Sequence, residues 1–293
     1  MLPLPTYPTA QGFRRALLAQ LRKRASEQQV DPQRLQSLVS FDRFLARLFD
    51  HEQAPWLVKG GYAMELRLHG RARATKDIDL AIPHAQALNR IDLDLVEAVR
   101  ELLQDAAGRD LNDYFTFLVG EPKQELDGPP YAGARFKIDA RIGGESFHTF
   151  QLDVSVGDAL VGTAEWRTGE PYLEFAGIAP VRVPVLPAEQ QFAEKLHALT
   201  LPRGGQLNTR VKDLADLVLL IEMGRMDTGL LATCVRATFA RRSTHDLPHT
   251  LDALPQAWSE RYAAFAEECG LRAKTLEEAF TVLTTFWGQV SLF

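Results

Sequence analysis

The sequence has 293 residues and a net charge of −5, with 46% hydrophobic and 24% charged residues, a composition typical of a globular protein. No apolar run approaches the roughly 18 to 20 residues that a membrane helix requires, so we expect a soluble protein without a membrane partner. The N-terminus lacks the order of a secretory signal, and the two cysteines form no C-x-x-C pair. The expected location is therefore the cytoplasm, and neither disulfides nor a zinc site are indicated.

Positive charge is concentrated at the start of the chain. Residues 1–50 contain eight Lys or Arg against four Asp or Glu, although the whole chain is acidic. Two interpretations are open for this segment. It forms either a solvated helix face with charges of both signs or a surface that contacts nucleic-acid phosphates.

The first half of the chain predicts a mixed sheet flanked by helices. Helices are predicted where apolar residues recur every three or four positions, and strands where short apolar runs end at Gly or Pro. In chain order the pattern predicts helices over 10–29 and 32–50, a strand at WLVKGG, a helix over YAMELRLHG, a strand at IDLAIP, a helix over 84–107 that includes Leu88 and Ile91, and strands over 113–119, 134–142 and 147–156.

The second half of the chain predicts mainly helices. The proline-rich segment PVRVPVLP, residues 180–187, has few ways to be helical and marks the expected crossing into a second domain. The expected fold class is α+β, with N-terminal helices and the sheet in residues 1–183 and a helical domain in residues 184–293. The helices predicted there cover 188–200, 209–222, 227–240, 255–269 and 275–289.

Two carboxylates stand one residue apart in the stretch RATKDIDLAI, residues 73–82. Alternate side chains of a strand share a face, so Asp77 and Asp79 are expected to project to the same side. Two anions at such short range need a cation, and a hard divalent ion such as Mg²⁺ prefers carboxylate and phosphate oxygens. A D-x-D pair alone also occurs at caps and strand edges, so its interpretation depends on the surrounding sequence.

Two further features favour a nucleotide site over that structural alternative. Gly60 and Gly61 lie between a predicted strand and a predicted helix, where backbone N–H groups and a helix N-terminus can cradle phosphates. A third acid, Asp153, lies in the predicted strand FQLDVSV. If this strand neighbours that of Asp77 and Asp79, the three acids can hold two metal ions; otherwise Asp153 is an exposed strand residue.

The stretch KGGYAMELRLHGRARATKDIDLAI resembles the core motif of the AbiEii/AbiGii nucleotidyltransferase toxins, which include the MenT toxins. These toxins belong to the DNA polymerase β-like nucleotidyltransferase superfamily. The resemblance continues through LDVSVGD to EQQFAEKLHALTLPRGGQLNTRVKDLADLVLLI, so that the matched segments span residues 57–221. It implies a nucleotidyltransferase-like mixed sheet followed by a helical domain.

The resemblance implies roles for residues of the sheet region, carried over by position. Gly60 and Gly61 would hold the triphosphate, and Asp77 and Asp79 would bind the metal and act in catalysis. Tyr62 follows the glycine pair where many members of the family have Ser or Thr. A contribution of a hydroxyl group to phosphate binding is therefore an open point at this position.

The resemblance also implies roles for basic residues and for the helical domain. Lys195 would contact the nucleotide phosphates, and Asp213 would complete the catalytic site. Lys59 and Arg73 are phosphate-contact candidates of lower rank. Without the resemblance, Lys195 would be interpreted as a solvated helix lysine and Asp213 as the partner of a nearby basic side chain.

The implied activity is a metal-dependent transfer of a nucleoside monophosphate from an NTP to an acceptor hydroxyl, with release of pyrophosphate. The implied metal is Mg²⁺, with Mn²⁺ as the alternative, and the implied acceptor is the 3′ end of tRNA. The implied effect is a toxic block of translation, opposed by a cognate antitoxin protein. Two competing hypotheses are transfer to a hydroxyl of a small molecule or protein, and a non-catalytic module that binds RNA or a partner.

Overall fold

The computed structural model describes residues 7–51, 54–84, 94–125, 132–205 and 207–290. The chain divides into two compact units. Unit 1 comprises Met1–Leu66, Ala74–Gly157 and Trp166–Val185, and unit 2 comprises Arg67–Arg73, Asp158–Glu165 and Leu186–Phe293. The last boundary between the two units follows Val185. Two short earlier segments also belong to unit 2, so a single boundary does not divide the chain into its two units.

The first four helices begin at identifiable capping residues or directly after a strand. The side chain of Thr9 accepts a hydrogen bond from the Gly12 N–H, and Asp31 caps the second helix, which has proline as its first residue. The helix predicted over 84–107 begins at Leu95 in the structure, with Asp94 as its N-cap, so the predicted start at residue 84 is wrong. Leu88 and Ile91 lie outside the described residues. The helices are α1 (Ala10–Gln28), α2 (Pro32–Leu48), α3 (Gly60–Leu68) and α4 (Leu95–Ala107).

The strands form one mixed sheet in the order β3-β5-β6-β2-β1-β8-β7, and β4 pairs with β5 outside this path. Strand β2 runs parallel to β6 and antiparallel to β1, and β5 runs antiparallel to β6. The predicted fold class, a mixed sheet with flanking helices followed by helices, is confirmed. The strands are β1 (Leu57–Lys59), β2 (Asp77–Ile82), β3 (Phe115–Val119), β4 (Gln124–Glu125), β5 (Ala132–Ile142), β6 (Glu145–Val156), β7 (Glu165–Thr168) and β8 (Arg182–Val185).

Part of the proline-rich segment forms a strand, which the sequence pattern did not predict. Strand β8 pairs in parallel with β1, with Val58 opposite Val185. Val183 and Val185 are buried while Arg182 is exposed, an alternation typical of a half-buried strand. Proline is tolerated in a strand at positions where its missing N–H is not needed for the ladder, so Pro184 did not exclude a strand.

The core of unit 1 contains a cluster of aromatic rings between the N-terminal helices and the sheet. Phe41 of α2 meets Tyr62 of α3 and Phe150 of β6 edge to face, with ring centroids 5.2 and 4.9 Å apart. Such edge-to-face contacts add to the free energy gained by burying the rings. Phe41 and Phe44 of α2 are fully buried, so both rings belong to this core.

Most of the basic residues in the first 50 positions are engaged with acids of unit 1. Arg43 and Arg47 are buried, and Arg47 makes two hydrogen bonds to Asp113, of 2.9 and 2.7 Å. These two arginines therefore belong to the core and not to a phosphate-contacting surface. The ion pairs are Arg14 with Glu145, Arg24 with Glu170, Arg34 with Glu65, Arg43 with Asp42 and Arg47 with Asp113.

The described part of unit 2 contains five longer helices. The side chains of Phe192, Leu196, Leu214 and Val218 are completely buried, as the apolar spacing predicts. Among the described residues no helix is long and apolar enough to cross a membrane. The helices are α5 (Ala188–Thr200), α6 (Val211–Met223), α7 (Thr228–Arg242), α8 (Ser259–Glu268) and α9 (Leu276–Trp287).

Candidate active site

The acids of strand β2 project from one face of the sheet. Asp77 and Asp79 are both partly exposed, whereas Ile78 and Leu80, which alternate with them, are completely buried on the other face. The hydroxyl of Thr75 donates to Asp77 Oδ1 at 3.0 Å and lies 3.1 Å from the Asp77 carbonyl oxygen. This bond orients the first carboxylate before any ligand arrives.

The strand register extends this pair into a row of charged residues across four strands. Lys59 of β1 lies opposite Asp79 of β2, Asp79 lies opposite Asp153 of β6, and Asp153 lies opposite Arg135 of β5. Directly opposed residues of neighbouring strands project to the same face. The row, which we call the acid row, consists of Lys59, Asp79, Asp153 and Arg135 with Asp77 beside it.

Asp153 and Arg135 form a two-pronged ion pair within the acid row. Arg135 Nε donates to Asp153 Oδ1 at 2.7 Å and Nη2 donates to Oδ2 at 2.6 Å. The hydrogen bond to Asp153 raises the pKa of Arg135, and the charges of Asp77 and Asp79 raise it further against the cost of burial. No local pattern in the sequence indicates Arg135, because only the register between β5 and β6 brings it to Asp153.

Gly60 lies directly against the second acid. Helix α3 begins at this residue, immediately after β1, and its φ of +65° lies in the left-handed region. A Cβ atom built on Gly60 would stand 1.7 Å from Asp79 Oδ2. A glycine is therefore required for the Asp79 carboxylate to reach the strand–helix junction, where backbone N–H groups favour an anion.

The residue after the glycine pair does not supply a hydroxyl to this junction. Tyr62 is 2% exposed, and its ring packs against Phe41 in the core of unit 1. Burial raises the pKa of its hydroxyl, and the negative charges of Asp42 and Glu65 act in the same direction. Tyr62 therefore has a packing role in α3, and the adjacent Gly61 is also buried.

Replacing Gly60 by Ala should damage both stability and function. The left-handed backbone costs an L-residue about 1–2 kcal/mol, and the added methyl group must push the Asp79 carboxylate away. We expect a lower urea midpoint and a large loss of nucleotide binding, measured by isothermal calorimetry. Gly70 also has a positive φ but has no atom within 4 Å of a built Cβ, so Gly70→Ala should lose some stability without losing nucleotide binding.

In unit 2, Lys195 lies in a buried network of four charged side chains. Its Nζ donates to Asp216 Oδ2 at 2.6 Å and to Asp213 Oδ1 at 3.2 Å. Arg73 donates to both oxygens of Asp216, at 3.2 and 3.0 Å. Asp216, with a side chain 1% exposed, thus holds two of the predicted phosphate-contacting cations, and no role was predicted for it from the sequence.

The charges of this network raise the pKa of Lys195 and lower the pKa of Asp216. Burial alone would raise the pKa of Asp216, but the charges of Lys195 and Arg73 outweigh burial and lower it. Burial alone would lower the pKa of Lys195, but the charges of Asp216 and Asp213 raise it. Lys195 and Asp216 therefore each hold the other in its charged form.

The contribution of Asp216 to stability should disappear in acid. Because its pKa in the folded chain lies below the ordinary value of 3.8, this contribution is present above that value and is lost as the pH falls through the folded pKa. Urea midpoints of the unmodified chain and of Asp216→Asn should differ at pH 7 and converge below about pH 4. A difference that stays constant from pH 7 to pH 3 would show that Asp216 is not the titrating group.

The donor chemistry of the β2 pair suits a hard divalent cation. Asp77 and Asp79 offer carboxylate oxygens on one face, which Mg²⁺ uses together with substrate phosphates. No group of three His, Cys, Asp or Glu side chains that could hold a metal ion occurs in the part of the chain that the structure describes. Metal binding by all three acids, Asp153 included, therefore stays a prediction.

The acid pair of β2 and the glycine pair at the strand–helix junction both lie in the stretch that resembles the core motif of nucleotidyltransferases. The solved structure of MenT4, a nucleotidyltransferase toxin from Mycobacterium tuberculosis H37Rv, has the same fold, with a TM-score of 0.59 and 19% sequence identity over 92% of this chain and 89% of MenT4. The family model described as nucleotidyl transferase AbiEii toxin, type IV toxin–antitoxin system, matches residues 43–282. The chain belongs to this family, and the resemblance inferred from the motifs is confirmed.

Two further comparisons give a weaker structural similarity and no sequence match. The antibiotic-resistance factor ANT(2'')-Ia aligns with a TM-score of 0.38 and 16% identity over 70% of this chain and 92% of its own. No curated protein sequence matches the chain. Family membership makes the chain a nucleotidyltransferase toxin of a type IV toxin–antitoxin system.

Proposed function

We propose that this toxin transfers a nucleoside monophosphate from an NTP to the 3′-hydroxyl of tRNA, with release of pyrophosphate, and thereby blocks translation in the cytoplasm. A cognate antitoxin would oppose this effect. The observation that carries the proposal is the contact between the Asp79 carboxylate and Gly60, with Asp77 on the same face. It supports the proposal because the Asp79 carboxylate lies at a strand–helix junction whose backbone N–H groups can bind phosphate.

The residues around Asp79 have distinct roles in this proposal. Asp77 and Asp79 hold a divalent cation, Mg²⁺ or alternatively Mn²⁺, which when bound supplies positive charge to the phosphates of the NTP. Gly60 and Gly61 present backbone N–H groups to the triphosphate. Lys59, opposite Asp79 in the register, adds a positive charge beside it. Catalysis then consists mainly of positioning and charge neutralisation.

The residues of unit 2 have roles that follow from the family resemblance. Lys195 contacts the phosphates and steadies the leaving pyrophosphate, Arg73 assists it, and Asp213 completes the site. In the described structure Lys195 is held by Asp216 and Asp213. Phosphate oxygens that reach Lys195 therefore compete with these two carboxylates, and Asp216 keeps the ammonium group oriented in the meantime.

Incubation of the purified protein with each of the four labelled NTPs, Mg²⁺ and total tRNA tests the proposal. We expect label in tRNA, lost on RNase treatment, with sequencing showing added nucleotides at the 3′ end. Periodate-oxidised tRNA, which has no 3′-hydroxyl, is the matched control and should remain unlabelled. Absence of label with intact Asp77 and Asp79 would refute the proposal.

A second labelling experiment separates the competing acceptors. Whole lysate labelled with the same NTPs should give an RNase-sensitive product in a gel. A protease-sensitive band would identify a protein hydroxyl as acceptor, and a small labelled compound would identify a small molecule. If Asp79→Ala remains as toxic as the unmodified chain, the protein acts by binding and not by catalysis.

A further inference from the structure

The ion pair of Arg135 with Asp153 bears on the number of metal ions that the acid row can bind. Three acids at one place can hold two divalent ions, which is what we predicted from the sequence for Asp77, Asp79 and Asp153. In the structure, however, each oxygen of Asp153 already accepts a hydrogen bond from Arg135, at 2.7 and 2.6 Å. Paired bonds of this geometry are the strongest that a guanidinium makes with a carboxylate.

The position of Arg135 ties it to the whole acid row and not to Asp153 alone. It lies opposite Asp153 in the β5–β6 register, and Asp153 lies opposite Asp79 in the β6–β2 register. The charges of Asp77 and Asp79 also act on the guanidinium and help to raise its pKa. An arginine stays protonated throughout the physiological pH range, so this positive charge is permanent.

We propose that Arg135 is a resident cation of the acid row, holding Asp153 in the place of a second divalent ion, so that the chain binds one divalent ion, at Asp77 and Asp79. This inference rests on the proposed function, because it concerns the metal requirement of the same site. It makes Arg135 a positioning residue for Asp153 and assigns Asp153 to Arg135 and not to a metal.

Charge balance supports one ion rather than two. The acid row with Asp77 carries three negative charges and, from Lys59 and Arg135, two positive charges. One divalent ion therefore gives a net charge of +1 and two ions give +3, before a nucleotide binds. A second divalent ion at Asp153 would either break both hydrogen bonds to Arg135 or stand beside a like charge that cannot lose its proton. Removing the guanidinium removes both obstacles and leaves Asp153 available as a metal ligand.

The number of bound Mn²⁺ ions tests this inference directly. Mn²⁺ alone is titrated into the full-length chain, and the free ion is followed by electron paramagnetic resonance. We expect one bound ion in the unmodified chain and in Arg135→Lys, which keeps the charge, and two in Arg135→Gln. The double variant Arg135→Gln with Asp153→Asn should return to one ion.

A matched control lies on the same strand. Arg141 of β5 pairs with Asp139 through a 2.7 Å hydrogen bond outside the acid row, so Arg141→Gln removes a comparable ion pair and should leave one bound ion. Circular dichroism confirms that each variant is folded. If Arg135→Gln does not fold, the inference is tested by the unmodified chain and by Arg135→Lys, each of which should bind one ion.

The outcomes separate this inference from the proposed function. Two bound ions in the unmodified chain, none at all, or only one in a folded Arg135→Gln would overturn the role of Arg135, even if tRNA is labelled. A change from one ion to two without any transfer to tRNA would leave the role of Arg135 intact and refute the proposed reaction.

Discussion

Asp79→Asn should reduce nucleotidyl transfer by a factor on the order of 10²–10³ or more, the size of effect seen when one electrostatic group of a preorganised site is removed. The substitution keeps the shape of the side chain next to Gly60 and removes only its charge. Asp79 lies opposite Asp153, which repels it, and opposite Lys59, which attracts it, so the loss of its charge should leave the melting temperature nearly unchanged. Single-turnover transfer rates and a thermal melt give the two measurements.

A control for Asp79 is available in the same sheet. Asp139 of β5 accepts hydrogen bonds from Arg141 and Ser146 and does not belong to the acid row. Asp139→Asn should keep its transfer rate within a few-fold of the unmodified chain. A rate for Asp79→Asn within tenfold of the unmodified chain would show that Asp79 does not bind a metal that catalysis requires.

Arg47→Ala should destabilise the chain by about 3–5 kcal/mol, the cost of leaving a buried charge without its partner. The Arg47 side chain is 0% exposed and its partner Asp113 is 1% exposed. Arg47 also donates to the carbonyl oxygens of Arg43 and Phe115, at 2.8 and 2.7 Å, and its guanidinium stacks 4.8 Å from the Phe117 ring centroid. Urea unfolding followed by circular dichroism measures the effect.

Two variants test whether the loss of stability in Arg47→Ala comes from an unpaired buried charge and not simply from the loss of a basic residue. Arg22, on the exposed side of α1, also belongs to the basic N-terminal segment, and Arg22→Ala should change stability by no more than about 0.5 kcal/mol. Replacing the pair together, as Arg47→Met with Asp113→Leu, should cost much less than Arg47→Ala, because no charge is left unpaired. Equal losses for the single and double variants would contradict this account.

Two predicted helices begin where the structure has them because a local capping signal marks the first residue. Helix α1 begins at the predicted residue because Thr9 caps it, and α2 begins at Pro32 because Asp31 does. The predicted sheet lacked β4, β7 and β8. Strand β8 was missed because a four-residue strand with one proline resembles a linker until β1 lies beside it. Its pairing with β1 depends on residues more than a hundred positions away.

The same distinction applies to the candidate site. The common face of Asp77 and Asp79 follows from the two-residue period of a strand, and a glycine pair between strand and helix indicates a tight junction. No local rule indicated that Arg135 would hold Asp153, or that Lys195 and Arg73 would share Asp216. The roles of Lys195, Arg73 and Asp213 toward phosphate stay predictions that the experiments above address.

The sequence by itself determined the family, the order of most helices and strands, and the pair of acids on β2, because each of these depends on residues close together in the chain. The tertiary structure decided which charges face each other. Strand order and register set Asp79 beside Asp153 and Asp153 beside Arg135, and packing buried Arg47 although it stands in the most basic segment. The physical reason is that register and burial are set by the free energy of the whole core, which no short stretch of sequence contains.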